Sequence, residues 1–367
     1  MKLIICGTII PAEVEMKLSG ASPAAGKYLR NLEKALKNNG YVVELKSFLA
    51  IPGAKEAFHD AKKSDNDQVY KSKWIIRSVI QYHKSVLESA NGGDVVVFYN
   101  IDYYSLGLVG KLNKRGVKTL LILADHTGSF KECGNVVRWI ISKLVEFDIK
   151  RFAAGIALSE KSMKYFSDNS KVIVLEGGID LNCFSNINPP KEGQIARFMY
   201  AGTLSKVAGV DVLLKAIDFI KDLQAEFYIS GKGELEKEVY DAAKNDSRIK
   251  YLGFIPDDEY YKLLNEIDFF INPRNMQFEQ NKNNFPSKVL EYLATGRGVI
   301  STRFPGFERF VDYFDFYDDD YRALADKICN VLTDGRNVLN VYEKNRNAAM
   351  KYDWDIQAQK IVKLVSY

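Results

Sequence analysis

The chain has 367 residues, 47% of them hydrophobic and 27% charged, with a formal net charge of +4. This length predicts two domains of ordinary soluble composition, each able to bury a core without staples. So small a net charge excludes a large nucleic-acid footprint, and no nucleic-acid partner is expected.

The four cysteines, Cys6, Cys133, Cys183 and Cys329, are far apart and form no CxxC. With only three histidines, His59, His83 and His126, a zinc site is not expected, and buried free thiols in a reducing cytoplasm are. The N-terminal apolar run is too short to span a bilayer and is soon followed by Glu13 and Glu15, so it reads as a first buried strand and not as a signal peptide. With no run of about 18 apolar residues, nothing is expected to cross a membrane, and a cytoplasmic location follows.

In chain order, Leu3–Ile5, Val42–Leu45, Val95–Tyr99, Thr119–Leu123, Gly155–Ala157 and Val172–Val174 read as buried strands. The stretches Ala24–Asn38, Lys71–Ser89, Tyr104–Asn113, Val136–Phe147 and Glu160–Phe166 between them read as helices. Such alternation predicts a parallel sheet covered by helices on both faces. The polar stretch Asn186–Gly193 carries two prolines and no periodicity, and reads as an interdomain linker. Alternation then resumes, with strands at Phe198–Tyr200, Glu226–Ile229, Ile249–Tyr251, Phe269–Ile271, Val299–Ser301 and Phe314–Tyr317. Helices are expected at Val210–Asp222, Glu234–Asn245, Asp257–Glu266, Ser287–Ala294, Asp320–Thr333 and Val338–Lys351. The expected fold is α/β: two doubly wound, Rossmann-like domains, residues 1–185 and 194–352, facing each other across a cleft. A closing helix within 353–367 is expected to return to the first domain. Ligands of such sheets bind beyond the carboxyl ends of the strands, so chemistry is sought in the loops that follow them.

The most informative stretch runs from Asn284 to Gly296. Pro286 suits a first helical turn, with Asn284 or Phe285 as the cap, and Gly296 suits the C-terminus. Val289, Leu290, Leu293 and Ala294 share the core side of this helix, leaving Ser287, Lys288 and Glu291 on the other. A helix N-terminus beside Ser287 and Lys288 suits a diphosphate, and a carboxylate one turn inside suits the paired hydroxyls of a ribose. The same residues also fit an ordinary surface face with a Lys–Glu pair.

Order and spacing add to this. Asn272-Pro-Arg274, Phe285-Pro-Ser-Lys288, Glu291-Tyr-Leu-Ala294, Gly296 and Val299-Ile-Ser-Thr302 together resemble glycosyltransferase family 4, and in particular members from capsular and extracellular polysaccharide assembly. Tyr200-Ala-Gly-Thr-Leu204 with Gly209, Phe227 to Glu234, and Tyr251-Leu-Gly-Phe-Ile-Pro256 follow the same pattern. The match in the first half is looser: Gly20 before a helix, Asp125-His126 after a strand, and Gly177 to Asp180. The resemblance implies a retaining transferase of the GT-B fold. It would take a nucleotide-sugar in the second domain and a glycan or lipid-linked acceptor in the first, with no metal or other cofactor. It implies donor contacts from Gly202, Thr203, Lys206, Gly231, Phe254, Ile255, Asn283, Phe285, Pro286, Ser287 and Glu291.

Two departures shift the charge. Asn283 stands where the family often has the first of two glutamates, and Thr203 and Ala208 replace an Arg and a Lys of the donor loop. Positive charge for a departing diphosphate is therefore expected from Arg274 and Lys288, with Lys206 in reserve. His126 and Asp125 are the acceptor-side candidates, for a hydrogen bond or a proton. Gly20 and Ala21 open a small-residue loop that would admit a phosphate to main-chain N–H groups, or simply cap a helix. Asp318-Asp-Asp320 reads as helix capping, not as a metal site. Lys71–Lys84 and Val136–Lys143 mix basic and aromatic residues at helical spacing, which suggests peripheral contact with an anionic membrane face. A nucleotide-sugar epimerase and a non-enzymatic two-lobed binding protein are the rival readings. A dinucleotide dehydrogenase is disfavoured because no GxGxxG follows a strand.

Overall fold

The computed structural model describes the chain except residues 12, 13, 15–17, 19–22, 52, 61–66, 72, 125–133, 176, 191–194, 283, 284, 335–337 and 367. Two compact units result, Met1–Gly178 with Trp354–Tyr367, and Ile179–Asp353.

Unit 1 is built on a parallel sheet of β1 (Lys2–Gly7), β2 (Val42–Leu49), β3 (Asp67–Tyr70), β4 (Val95–Tyr99), β5 (Lys118–Leu123), β6 (Ala154–Ala157) and β7 (Lys171–Val174), in the order β3-β2-β1-β4-β5-β6-β7. Its central strands β1, β4 and β5 are largely apolar on both faces because both faces are covered. Leu3 and Ile5 enter one core with the helix Pro23–Asn38 and the closing helix Trp354–Val365. Ile4 and Cys6 enter the other, with helices Ile75–Ser89, Leu108–Lys114 and Val136–Ile149. Trp354 anchors the closing helix, 4% exposed and edge-on to Tyr28 at 4.8 Å.

Unit 2 repeats the plan with β8 (Ala196–Ala201), β9 (Ala225–Ser230), β10 (Ile249–Gly253), β11 (Phe269–Asn272), β12 (Gly298–Thr302) and β13 (Asp315–Tyr317), all parallel, in the order β10-β9-β8-β11-β12-β13. Here Phe198 and Tyr200 face one core, and Met199 and Ala201 the other.

Several expectations need correction. The units divide at Gly178, before the polar stretch 186–193, because Ile179, Phe184 and Ile187 are buried in the core of unit 2. Strand β3 and a helix at Ala54–Asp60 were not expected; the four residues of β3, Asp-Gln-Val-Tyr, show no apolar run. The helix expected over Tyr104–Asn113 is broken at Gly107, whose φ of 74° separates a 3-10 turn, Tyr103–Ser105, from Leu108–Lys114. Glu160–Tyr165 is likewise 3-10. Of the described cysteines Cys6 alone is buried, and Cys183 is exposed.

Candidate active site

In both sheets the strand order reverses beside the first strand, between β1 and β4 in unit 1 and between β8 and β11 in unit 2. The crevice beyond the carboxyl ends at such a reversal is where doubly wound sheets bind ligands. In unit 2 it is bounded by the loops leaving β8 (Gly202, Thr203, Lys206), β9 (Gly231), β10 (Phe254, Ile255) and β11 (Arg274, Phe285 to Ser287). Gly20, Ala21, Asp125, His126 and Asn283 lie outside the described residues.

Main-chain hydrogen bonds tie these loops together. The N–H of Gly202 donates to the Ser230 carbonyl at 3.0 Å, that of Leu204 to Lys232 at 3.0 Å, that of Gly231 to Gly253 at 2.8 Å, and that of Asn275 to Val207 at 3.2 Å. Two approaches are close enough to demand glycine. Gly209, at φ 78°, has the Pro273 carbonyl where a Cβ would stand, and Gly231, at φ 144°, has the Gly202 carbonyl there. Gly231 is buried, whereas Gly202, Thr203 and Lys206 are exposed at the crevice edge. The main-chain N–H of Lys206 donates to the Glu234 carboxylate at 3.1 Å.

Arg274, half-buried, donates through Nε to Oδ1 of Asn281 at 2.5 Å, and its carbonyl accepts from the Thr302 hydroxyl at 2.8 Å. Burial lowers its pKa against the opposing influence of Tyr200, and a guanidinium so shifted is still a cation. Asn281 is fully buried, and its Nδ2 donates to the carbonyls of Val207 (2.7 Å) and Asn275 (2.6 Å). One amide thus joins the loops after β8 and β11 and orients Arg274. Sequence reasoning missed it, since a lone Asn in an aperiodic polar stretch carries no pattern. Asp319 steadies the same loop by accepting from the Met276 N–H at 2.8 Å. Its neighbours also have structural partners: Asp318 pairs with Arg303, and Asp320 caps Tyr321–Thr333 by accepting from Arg322 and Ala323.

The helix Lys288–Thr295 enters the crevice beside β8. Ser287 is its N-cap, with no side-chain cap bond, so Phe285 does not take that place; Asn284, the other expected cap, lies outside the described residues. Pro286 is buried ahead of the helix, and Phe285 packs edge-on against Phe304 at 5.4 Å. Gly296 ends the helix in the left-handed region, at φ 76°. Tyr292 stacks on Phe270 at 4.4 Å and donates to the Ala201 carbonyl at 3.3 Å, fixing the helix to the end of β8.

Lys288 and Glu291 meet each other, Nζ to Oε2 at 2.8 Å, with side chains 38% and 12% exposed. The ammonium also lies 4.3 Å from the ring centre of Tyr260, whose hydroxyl donates to Glu291 at 3.5 Å. Burial pulls the Lys288 pKa down, but the adjacent Glu291 outweighs it and the net shift is upward. Lys288 therefore holds its charge at neutral pH. Phe254 is 61% exposed, with the Lys232 ammonium 5.9 Å from its ring centre. The arrangement offers exposed main chain, a helix N-terminus, two cations and one carboxylate. That set suits a phosphorylated ligand carrying neighbouring hydroxyls.

Residues 196–334 match the family model described as "Glycosyl transferases group 1". Among curated proteins, the amylovoran biosynthesis glycosyltransferase AmsK of Erwinia amylovora is 25% identical over 125 residues, 33% of this chain and 31% of that one. The N,N'-diacetylbacillosaminyl-diphospho-undecaprenol alpha-1,3-N-acetylgalactosaminyltransferase of Campylobacter jejuni is 24% identical over 258 residues, 63% of this chain and 64% of that one. The alignments thus span about a third and just under two thirds of those relatives. Among solved structures, Anabaena Alr3699/HepE in complex with UDP superposes with a TM-score of 0.72 at 15% identity, each chain covered in full. A glycosyltransferase from Rickettsia africae gives 0.70 at 17% identity, covering 99% of this chain and 98% of that one. These likenesses show the fold, that of the GT-B glycosyltransferases.

Proposed function

We propose that this chain, whose residues 196–334 match the family model described as "Glycosyl transferases group 1", is a retaining glycosyltransferase. It would move a sugar from a nucleotide-sugar to a glycan or lipid-linked acceptor in surface-polysaccharide assembly. The observation that carries the reading is the crevice at the β8/β11 reversal, where the family match coincides with the exposed Gly202–Thr203 main chain, Arg274 and the Lys288–Glu291 pair. The relatives supply the chemistry to test first. One is named for amylovoran biosynthesis, one for a sugar-diphospho-undecaprenol substrate, and one structure holds UDP. The first two, named as glycosyltransferases, favour transfer over epimerisation or simple binding.

In this reading Glu291 accepts hydrogen bonds from the donor ribose. Arg274, Lys288 and the N–H groups at Ser287 and Lys288 stabilise the departing diphosphate. Lys288 is already paired with Glu291, so its charge is shared and it acts together with Arg274. The bond from the sugar C1 to the diphosphate breaks while the acceptor hydroxyl oxygen bonds C1 from the same face and passes its proton to the departing diphosphate oxygen, which keeps the anomeric configuration. Asp125 and His126 are proposed on the acceptor side, and no metal is assigned a step.

A thermal-shift panel of UDP-, GDP- and ADP-sugars on the protein and on Glu291→Ala tests this. One nucleotide-sugar is expected to raise Tm, by an increment that collapses in the variant. A shift retained in full by Glu291→Ala would remove the ribose assignment, and an epimer formed from donor alone would remove transfer.

A further inference from the structure

Unit 1 bears an apolar surface outside its own cores. The helix Val136–Ile149 buries Ser142, Val145, Asp148 and Ile149 against the sheet, yet its outward side is apolar too. Val137, Ile140 and Leu144 form a row along it and are 67%, 49% and 50% exposed. A helix apolar all round is ordinarily covered all round. The start of Ile75–Ser89 repeats the pattern, with Trp74, Ile76 and Ile80 at 76%, 78% and 60% exposure.

These two stretches belong to one surface. Tyr82 and Val86 of one helix and Val145 and Ile149 of the other enter the same core, so both helices lie on the same face of the sheet. Each returns the chain from the carboxyl end of one parallel strand to the start of another, Tyr70 to Val95 and Leu123 to Ala154. Both therefore run against the strands, and their N-terminal turns lie at the same end of the unit.

The charges on these turns are all positive. From Lys71 to Leu87 the ionic residues are Lys71, Lys73, Arg77 and Lys84; from Gly134 to Val145 they are Arg138 and Lys143. Glu88 and Glu146, the first acids after each stretch, pair with Lys84 and Lys143. Lys71, Lys73, Arg77 and Arg138 are exposed. Protein interfaces deplete lysine around their apolar centres. Protruding Trp and Ile side chains ringed by Lys and Arg match an anionic lipid headgroup layer instead. No helix among the described residues is long and apolar enough to cross a membrane.

We propose that this edge of unit 1 docks on an anionic phospholipid surface. Trp74, Ile76, Ile80, Val137, Ile140 and Leu144 enter the headgroup layer, and Lys73, Arg77 and Arg138 meet lipid phosphates. The inference deepens the reading of a lipid-linked acceptor and rests on that reading only for the purpose of docking: it would hold the enzyme where such an acceptor resides.

Flotation of the purified chain with vesicles of phosphatidylcholine, with and without phosphatidylglycerol, tests it. Binding is expected with the anionic vesicles, weak binding with the neutral ones, and release at high salt. Ile76→Ser with Ile140→Ser, and Arg77→Glu with Arg138→Glu, are each expected to weaken anionic-vesicle binding about tenfold. Melting and the nucleotide-sugar thermal shift should stay at wild-type values. No flotation with either vesicle, or flotation unchanged in both variants, overturns the proposal. So does a dimer in sedimentation velocity that the Ser variant abolishes while vesicles capture nothing, since the face would then be an interface between copies. Flotation intact with no response to any nucleotide-sugar would remove the transferase reading and leave the docking face standing.

Discussion

The two units share a strand order up to their sixth strand, yet their helices treat the carboxyl edge differently. In unit 2 the helix Lys288–Thr295 is buried at Val289, Leu290, Tyr292, Leu293, Ala294 and Thr295, and presents only Lys288 and Glu291. In unit 1 the helix Val136–Ile149 begins at the matching end of its sheet and leaves Val136, Val137, Ile140, Leu144 and Phe147 exposed. Helices that open at the same end of two like-ordered sheets are therefore not used alike, here after the fourth strand of unit 2 and the fifth of unit 1. One edge is closed by loop-on-loop packing around a polar pair, and the other keeps its apolar side outward.

The sharpest way to break this comparison is to truncate one side chain from each helix. Leu293→Ala, at 0% exposure, is expected to destabilise the protein by about 3 kcal/mol in urea unfolding. Asn281→Ala comes next. It removes the amide donor from the Val207 and Asn275 carbonyls, each of which keeps one main-chain donor, and takes away the acceptor of Arg274 Nε, for about 1 kcal/mol in stability. It should also weaken the nucleotide-sugar thermal shift, because Arg274 loses its orientation. A variant of normal stability and normal shift would show that the loops after β8 and β11 need no such tie.

A pH-dependent effect belongs to unit 1. Burial acts to raise the Glu44 pKa, but hydrogen bonds from Lys2, Lys46 and Ser89 override it and hold the carboxyl at about 2, below its ordinary 4.5. A folded value below the unfolded one means stability present above pH 4.5 and lost as pH falls toward 2. Glu44→Gln should therefore flatten the acid limb of a Tm-against-pH curve across that window. An unchanged limb would place the acid sensitivity elsewhere. The smallest effect expected is that of Ile140→Ala, within about 0.5 kcal/mol of wild type, because its side chain has little native contact to lose. A loss near that of Leu293→Ala would mean that the outward row is packed after all.

Much of the architecture was legible from residue order. Apolar runs such as Val95–Tyr99 and Leu120–Leu123 coincide with central strands because a strand buried on both faces must be apolar at every position. The edge strand β3 was not legible, since one exposed flank lets Asp67 and Gln68 stand in a strand. The unit boundary was misplaced for a related reason. A polar stretch signals exposure, whereas the division depends on which core takes up Ile179, Phe184 and Ile187. In the candidate site, the helix opening near Lys288 and ending at Gly296 was readable from Pro286 and Gly296. Asn281 was not, because its importance lies in three partners distant from any pattern.

By itself, then, the sequence determined the strand–helix alternation, the repeated α/β plan and the stretch from Asn272 to Gly296 as the place for chemistry. Those follow from local periodicity and from residue types that only certain backbones accept. The tertiary structure decided which groups meet. It set Lys288 against Glu291, Arg274 against Asn281, and Gly209 beneath the Pro273 carbonyl. It also turned the row of Val137, Ile140 and Leu144 away from the core. Periodicity says that a helix has an apolar side; only packing selects which of two apolar sides is covered.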